Sequence, residues 1–600
     1  MFFVLLATSE AVLGKAHPHW PQSVLVGLSA LIAVLVALVK PLVGAVTSWV
    51  SSQLTSELEH RALWGKVVSS LNPGRARLPR VRDLADPRAE LGIHYAISLP
   101  EGSDTSLSPE LPLYVTRDVD ARVASWITER QRSRGFLLLV GPAGAGKTRC
   151  LYEALLAKVP DAAIFIPAKA EQIEAFVQVR TGRGPVVVWL DEIYDLLESG
   201  GLTADLVRRM LSRTRPVLIV ATLWTQRFEA LTQSEANELT RDKREILTKL
   251  VHTEHLTAQF SRAELERAKA MEQRDPRLRE ALAAGSADVT GILAARPRLM
   301  DYWADPPDPY AHAVLRAAVT AARCGHPDPI PAAVLEPVAG AILSPAQRAA
   351  AGAEWLAAAV EGACRPLLGL RIAPMEARSS TPGRVEGYSP HDILTQAVTL
   401  DLDDRDILRV IEHASPDACV RIGATPYVYI DKPQLAITAT RKALAGGDPD
   451  TRPKAAGNLG ILLAGQDDPA GARDAYQLAI DSGHPEYAPW AAAGLGILLA
   501  EQGDPAGARA AYQVAIDSGH TDERPRAADF LGDLLAEQGD PAGARAAYQI
   551  AIDSGHPDWG PTAAIDLGIL LTGQDDLAGA RAAYQLAIDS GHADERPQAA

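Results

Sequence analysis

Four cysteines in 600 residues, Cys150, Cys324, Cys364 and Cys419, lie far apart and form no Cys-x-x-Cys pair. That excludes a disulfide framework and a thiolate zinc site. Aromatic residues are scarce too, at 5% of the chain; with Ala, Leu, Arg, Asp and Gly abundant, the composition suits packed helices. No basic patch with base-reading residues is present, and residues 451–600 hold nine basic against twenty-two acidic side chains. Such a surface repels a phosphate backbone, so nucleic acid is not expected as a partner. The plainer reading of that acidity is that it keeps an Ala-rich array soluble. The apolar fraction of 47% argues against disorder. The chain is far longer than one core can organise, so several domains are expected.

Long uncharged runs are missing except at the start. Ser23 to Val39 has no charge, and Lys40-Pro41 closes it. At 1.5 Å per residue this run, extended back to Pro21, approaches the thickness of a bilayer core, about 30 Å. Trp20 and Trp49 would sit near the two interfaces. Met1 to Gly14 lacks a basic residue, which argues against a secretory signal. Downstream, Lys40, Arg61, Lys66, Arg75, Arg77, Arg80 and Arg82 face only Glu57 and Glu59. The positive-inside rule then gives a single-pass anchor over 21–39, N-terminus outside and the bulk of the chain cytoplasmic. A buried core helix is the competing reading.

The chemistry is concentrated after Phe136–Val140, a short apolar run of the kind buried in a parallel sheet. It leads into Gly141-Pro142-Ala143-Gly144-Ala145-Gly146-Lys147-Thr148, a full G-x-x-x-x-G-K-T, and then a helical pattern from Arg149 to Lys158. Glycines let backbone N–H groups wrap phosphates without a Cβ in the way, and the helix N-terminus adds positive charge. Lys147 would reach the β- and γ-phosphates, and the Thr148 hydroxyl would ligate Mg²⁺. ATP or ADP with Mg²⁺ is therefore the expected ligand. A second buried run, Val186–Leu190, ends in Asp191-Glu192, 43 residues after Thr148. Asp191 would hold the metal and Glu192 would activate water. Ala162–Pro167, Val217–Val220 and Leu250–Leu256 read as further strands, and Thr222 either senses the γ-phosphate or simply ends its strand. Ser261 and Glu264 form a capping box for a helix from Arg262 to Glu272.

This β-α-β order, with the acid pair on the third strand, resembles the AAA+-related STAND branch of P-loop NTPases, signal-transduction ATPases with numerous domains. Leu113–Val123 (LYVTRDVDARV) looks like that group's entry motif, which implies Arg117 near the nucleotide. Arg296-Pro297-Arg298 resembles the Pro-containing motif that STAND helical subdomains point at the nucleotide. Leu367–Ala373 and Gly383–Tyr388 read as the strands of a winged-helix wing leading into Ser389-Pro390-His391-Asp392. That stretch resembles the Met-His-Asp motif, with Pro390 in place of Met, and the resemblance implies that His391 holds the β-phosphate of ADP. The plainer alternative is a helix capped by Asp392. One departure stands out: many STAND proteins carry Arg just after the fourth strand, whereas here the nearest is Arg227.

From about Pro453 the chain repeats every 36 residues, with Leu459-Gly460, Leu495-Gly496, Leu531-Gly532 and Leu567-Gly568 in register. Tyr476, Tyr512, Tyr548 and Tyr584 share a second register, and Ser-Gly-His ends each copy at His484, His520, His556 and His592. Asp504 would cap a second helix opened by Pro505, with Gly496, Ala508 and Ala515 allowing close approach and Tyr512 filling the gap. A poorer copy has Ala436, Ala443 and Thr440 in the Tyr place. Repeats about 10 Å apart cannot share one ion, so the histidines read as helix-end residues rather than a metal ladder. The pattern resembles tetratricopeptide and Sel1-like repeats, which implies a helical solenoid holding a protein or peptide.

The expected architecture is multidomain: a bacterial-type membrane anchor at 1–52, a basic linker at 53–110, and an α/β P-loop NTPase with parallel sheet at 111–258. A helical subdomain follows at 259–305, a winged-helix-like subdomain at 306–405, a connector with the poor repeat at 406–452, and an all-α solenoid at 453–600. The expected function is a slow ATPase that switches state with its nucleotide, with nucleotide-dependent self-association allowed. The alternatives are an AAA+-type client-remodelling motor, for which no arginine finger can be named, and a repeat scaffold with a structural nucleotide.

Overall fold

The computed structural model describes Gly65, Val67 and residues 78–590 other than 101–106, 168, 180–183, 199, 214, 234–239, 380 and 399–401. The anchor expected at 21–39 lies outside the described residues; among those described, no helix is long and apolar enough to cross a membrane. The chain divides into two compact units, 1–78 with 171–182, and 79–170 with 183–600. The second holds everything below except most of α4.

After a short helix α1 (Pro87–Leu91) and α2 (Asp120–Arg130), the chain alternates strand and helix. The strands are β1 (Arg134–Val140), β2 (Ala163–Phe165), β3 (Val186–Leu190), β4 (Val217–Leu223) and β5 (His252–His255). Between them run α3 (Lys147–Lys158), α4 (Ala170–Gln178), α5 (Tyr194–Glu198), α6 (Ala204–Ser212), α7 (Thr225–Gln233) and α8 (Arg241–Glu245). All pairings are parallel, in the order β2-β3-β4-β1-β5. The Val, Ile and Leu of β1, β3 and β4 are buried throughout the strands' inner stretches, as a sheet covered on both faces demands. Register sets Leu190 beside Ala221 and Leu139 beside Thr222, so the ends of three strands open on one edge.

The stretch read as a basic linker is ordered where described. Val81 N–H bonds to Ala162 O at 3.0 Å and Ile164 N–H to Pro79 O at 2.8 Å, extending the β2 edge. Asp86 caps α1, and Gly92 ends it in the left-handed region, φ 77°. A basic count does not show this, because the fixing contacts are backbone ones.

Four helices follow, α9 (Arg262–Met271), α10 (Pro276–Ala283), α11 (Val289–Leu293) and α12 (Arg296–Ala304). The expected capping box at Ser261 and Glu264 is complete. Next come α13 (Pro309–Arg323), α14 (Ala332–Ile342), α15 (Pro345–Ala350), α16 (Trp355–Cys364) and an antiparallel hairpin, β6 (Met375–Arg378) with β7 (Gly387–Pro390). A two-stranded hairpin is thus present, but it lies toward the C-terminus from the strands expected for a wing. Leu367–Ala373 instead closes on itself: Leu367 N–H bonds to Ile372 O at 2.9 Å and Gly369 turns at φ 74°. Gly387 is required where it stands, since a Cβ there would meet Ile330 O at 2.6 Å.

After α17 (Asp392–Ala397) and α18 (Asp404–His413) the solenoid begins one repeat earlier than the clear copies. It runs through α19 (Pro416–Ala424), α20 (Pro426–Asp431) and α21 (Pro433–Gly446). Thr440, in the Tyr place, packs where a Cβ on Gly423 would sit, 2.4 Å from its Oγ1. Four regular pairs follow: α22 (Thr451–Ala464) with α23 (Pro469–Asp481), and α24 (Tyr487–Glu501) with α25 (Pro505–Asp517). The last two are α26 (Glu523–Glu537) with α27 (Pro541–Asp553), and α28 (Trp559–Gly573) with α29 (Leu577–Asp589). A Cβ on Gly460, Gly496, Gly532 or Gly568 would lie 2.6, 2.3, 2.4 or 2.4 Å from a ring carbon of the matching Tyr. Glycine is what lets that ring lie between the two helices.

Candidate functional site

The strand ends and the glycine-rich loop frame a cleft with about 1020 Å³ of atom-free space. Gly144 and Gly146 take φ 74° and 92°, values that favour glycine, and turn the loop into α3, which begins at Lys147. Gly141 is equally constrained, because a Cβ would strike Leu256 O at 2.5 Å. Lys147 is buried; its Nζ donates to Pro142 O at 3.3 Å and lies 3.2 Å from Glu192 Oε1.

Asp191 and Glu192 meet the loop as the strand positions require. Asp191 Oδ1 accepts from the Thr148 hydroxyl at 3.0 Å and the Thr222 hydroxyl at 2.8 Å. Thr222 also accepts the Glu192 N–H at 2.8 Å. Thr222 therefore fixes the acid pair from beneath, at 1% exposure, rather than reaching into the cleft. Glu192 has φ 45°, a costly value for a residue with a Cβ, and its buried Oε2 has no hydrogen-bond partner. Burial pushes its carboxyl up to about 7 despite the nearby Lys147 and Arg227 cations. Burial also raises Asp191, against the bonds from Thr222 and Thr148. Two desolvated carboxyl groups beside a lysine, one with an oxygen that has no partner, form a set that could take a divalent cation and a polyphosphate.

Arg117 lies against the loop and lines the cleft. It bonds to Glu264 at 3.0 Å, Ala145 O at 2.9 Å and Thr257 O at 2.8 Å, and its guanidinium stacks 4.4 Å from the Phe260 ring centre. The capping-box residue Glu264 thus anchors the entry segment as well. Arg296, from the Arg-Pro-Arg motif, reaches the loop: one nitrogen donates to Ala143 O at 2.6 Å and another lies 3.2 Å from Asp288. Gln396 on α17 accepts the Ala143 N–H. Arg227 stacks between Tyr194 and Trp224, 4.2 and 4.0 Å from their ring centres.

His391 does not line the cleft. Its Nδ1 accepts the Ile393 N–H at 3.2 Å as the cap of α17, its side chain is buried, and burial pulls its pKa down to about 3. The cleft is lined by its neighbour Asp392 and by His94, which the sequence reading left inside a linker. His94 Nε2 lies 3.2 Å from Asp392 Oδ2. Burial works against a charged His94, but the bond to Asp392 and the carboxylates of Asp191 and Glu376 raise its pKa overall. Sequence gave no signal for His94, because its partner is 298 positions away.

The repeats offer a second surface. Asp468, Asp504, Asp540 and Asp576 each cap the second helix of a pair by accepting a glycine N–H at 2.9 to 3.0 Å. The histidines are caps as well. In His484, His520 and His556, Nδ1 accepts N–H groups opening the next helix. Nε2 of each faces an acid of the previous repeat, Asp450, Glu486 or Asp522, at 3.5, 3.2 and 3.1 Å. The array also touches the sheet domain, through Arg208–Asp558 at 2.5 Å and Arg241–Glu523 at 2.6 Å.

No curated protein matches this chain. Similar solved structures include BtubC from P. vanneervenii, 16% identical over 32% of this chain and 83% of that one, TM-score 0.27. Pseudomonas aeruginosa pilF is 21% identical over 31% and 86%, TM-score 0.25. MamA from Desulfovibrio magneticus RS-1 is 17% identical over 29% and 94%, TM-score 0.24. The family model described as tetratricopeptide repeat matches residues 458–528, 493–558 and 531–600. The C-terminal quarter of this chain is a tetratricopeptide-repeat array, a module for protein interaction.

Proposed function

We propose that this chain is a STAND-like, nucleotide-controlled switch that binds ATP or ADP with Mg²⁺ and holds a protein or peptide on its repeats. The observation that carries the reading is the convergence of Lys147, Thr148 and Asp191 around one cleft, with Thr148 and Asp191 already bonded to each other. The glycine-rich loop would cradle the phosphates, and Thr148 with Asp191 would hold Mg²⁺, which supplies charge neutralisation when bound. Glu192 would orient and deprotonate water, and Lys147 would offset phosphate charge. Arg227 stands four residues past β4, off the place where many STAND proteins carry Arg, but its charge bears on both Glu192 and Asp392. Arg296 and Gln396 tie the helical and winged-helix-like subdomains to the loop, a route by which its state would reach the repeats.

The N-terminal run would tether the switch to a membrane, with the bulk of the chain cytoplasmic. Alkaline carbonate extraction then leaves the full-length protein in the pellet. The central test is native mass spectrometry of the purified full chain together with steady-state turnover. Copurified nucleotide with slow, Glu192-dependent turnover is expected. Fast turnover in a hexamer would point to a remodelling motor, and nucleotide-dependent stability with no turnover to a scaffold.

A further inference from the structure

The motif from Ser389 to Asp392 supplies an imidazole to the wrong place. His391 spends Nδ1 on the Ile393 N–H and turns its ring into the protein, outside the cleft. A second ring stands 5.1 Å away, centre to centre, and lines the cleft: His94. It arrives on a chain segment with fixed geometry. Gly92, two residues earlier, packs so closely against Asp191 that a Cβ would lie 2.6 Å from Oδ2. On the other side His94 Nε2 is held by Asp392 Oδ2, and Asp392 opens α17, the helix whose Gln396 accepts from the glycine-rich loop. An imidazole gripped through one nitrogen by a carboxylate presents its other nitrogen in a defined direction.

We infer that His94 is a phosphate-binding residue of the cleft, and that Asp392 is the positioning residue that aims it. This rests on the nucleotide reading and deepens it: the imidazole expected from the motif is replaced by one from the segment before the entry motif. Asp392 opens α17 and His94 lies on the segment before α2, so the pair joins two parts of the chain at the cleft. A phosphate on His94 would then be felt by both sides.

The test uses the full-length chain in detergent, with MgADP and AMP as probes and affinity read by calorimetry. His94→Gln is expected to weaken MgADP roughly tenfold, the loss of one charge-assisted hydrogen bond, and to leave AMP within about twofold. His391→Asn keeps a capping side chain and is expected to leave MgADP within about twofold. Asp392→Asn is expected to weaken MgADP in the wild type but to add nothing on top of His94→Gln. The inference is overturned if His94→Gln leaves MgADP unchanged, if it weakens MgADP and AMP alike, if the loss follows His391→Asn instead, or if the Asp392 and His94 losses simply add. A wild type that binds no MgADP removes the nucleotide reading as well; Lys147-dependent MgADP binding with a silent His94→Gln removes this inference alone.

Discussion

Glu192 concentrates the electrostatic cost of the site, with a buried carboxyl raised to about 7 on a left-handed backbone. Because its folded pKa lies above the ordinary 4.5, the protonated form favours the fold, and stability is lost as pH rises from 4.5 through about 7. Glu192→Gln should therefore raise Tm at pH 8 and leave it nearly unchanged at pH 4, as calorimetry would show. On the proposed reading, the base form that would activate water grows over the same range. Wild-type turnover should climb through about pH 7, and Glu192→Gln should lower it by about 10² or more and flatten the profile. Gly92 is a sharper probe of geometry than of chemistry. Gly92→Ala puts a methyl against Asp191 at a left-handed position. It should cost about 1–2 kcal/mol in a denaturant titration and weaken Mg²⁺-dependent nucleotide binding.

At the scale of elements, the repeats show how closely helix approach depends on one absent side chain. Gly532→Ala forces a Cβ to within 2.4 Å of the Tyr548 ring, which is packed between helices and cannot retreat. A loss of about 1–3 kcal/mol is expected from overpacking. Asp504→Ala removes a single cap bond to Gly507 and should cost only about 1 kcal/mol. Thermal melts of the two variants should rank in that order. These features were legible in the sequence because each is local: a 36-residue period aligns Gly with Tyr, and Asp-Pro announces a helix start. Four of the five strands were legible for the same reason, as apolar runs too short for helices, whereas β5 is polar and only its flanks are apolar. The hairpin's first strand was misplaced because Leu367–Ala373 is apolar without being extended, and Gly369 turns it back on itself.

At the scale of the molecule, the repeats and the sheet domain meet through charge. Glu523 is buried and faces both Arg241 and Arg526, whose guanidinium groups outweigh burial and hold its carboxyl at about 2. Its contribution is complete above pH 4.5 and is lost as pH falls toward about 2. Arg241→Ala removes one of the two cations and raises the folded pKa toward 4.5, so the window narrows and less stability is lost on acidification. At neutral pH, hydrogen exchange should quicken in 240–250 and 522–530 while the sheet stays protected.

The sequence by itself determined the glycine-rich loop, the acid pair beside it and the repeat array, since each is written in a contiguous motif whose chemistry needs neighbours in order. Tertiary structure decided what those motifs meet. It made Thr222 a support, tied Arg117 at the cleft to Glu264, took His391 away as a helix cap, and brought His94 from an apparent linker to face Asp392. Those assignments depend on contacts between residues tens to hundreds of positions apart, which the packing of the chain creates and no local pattern encodes.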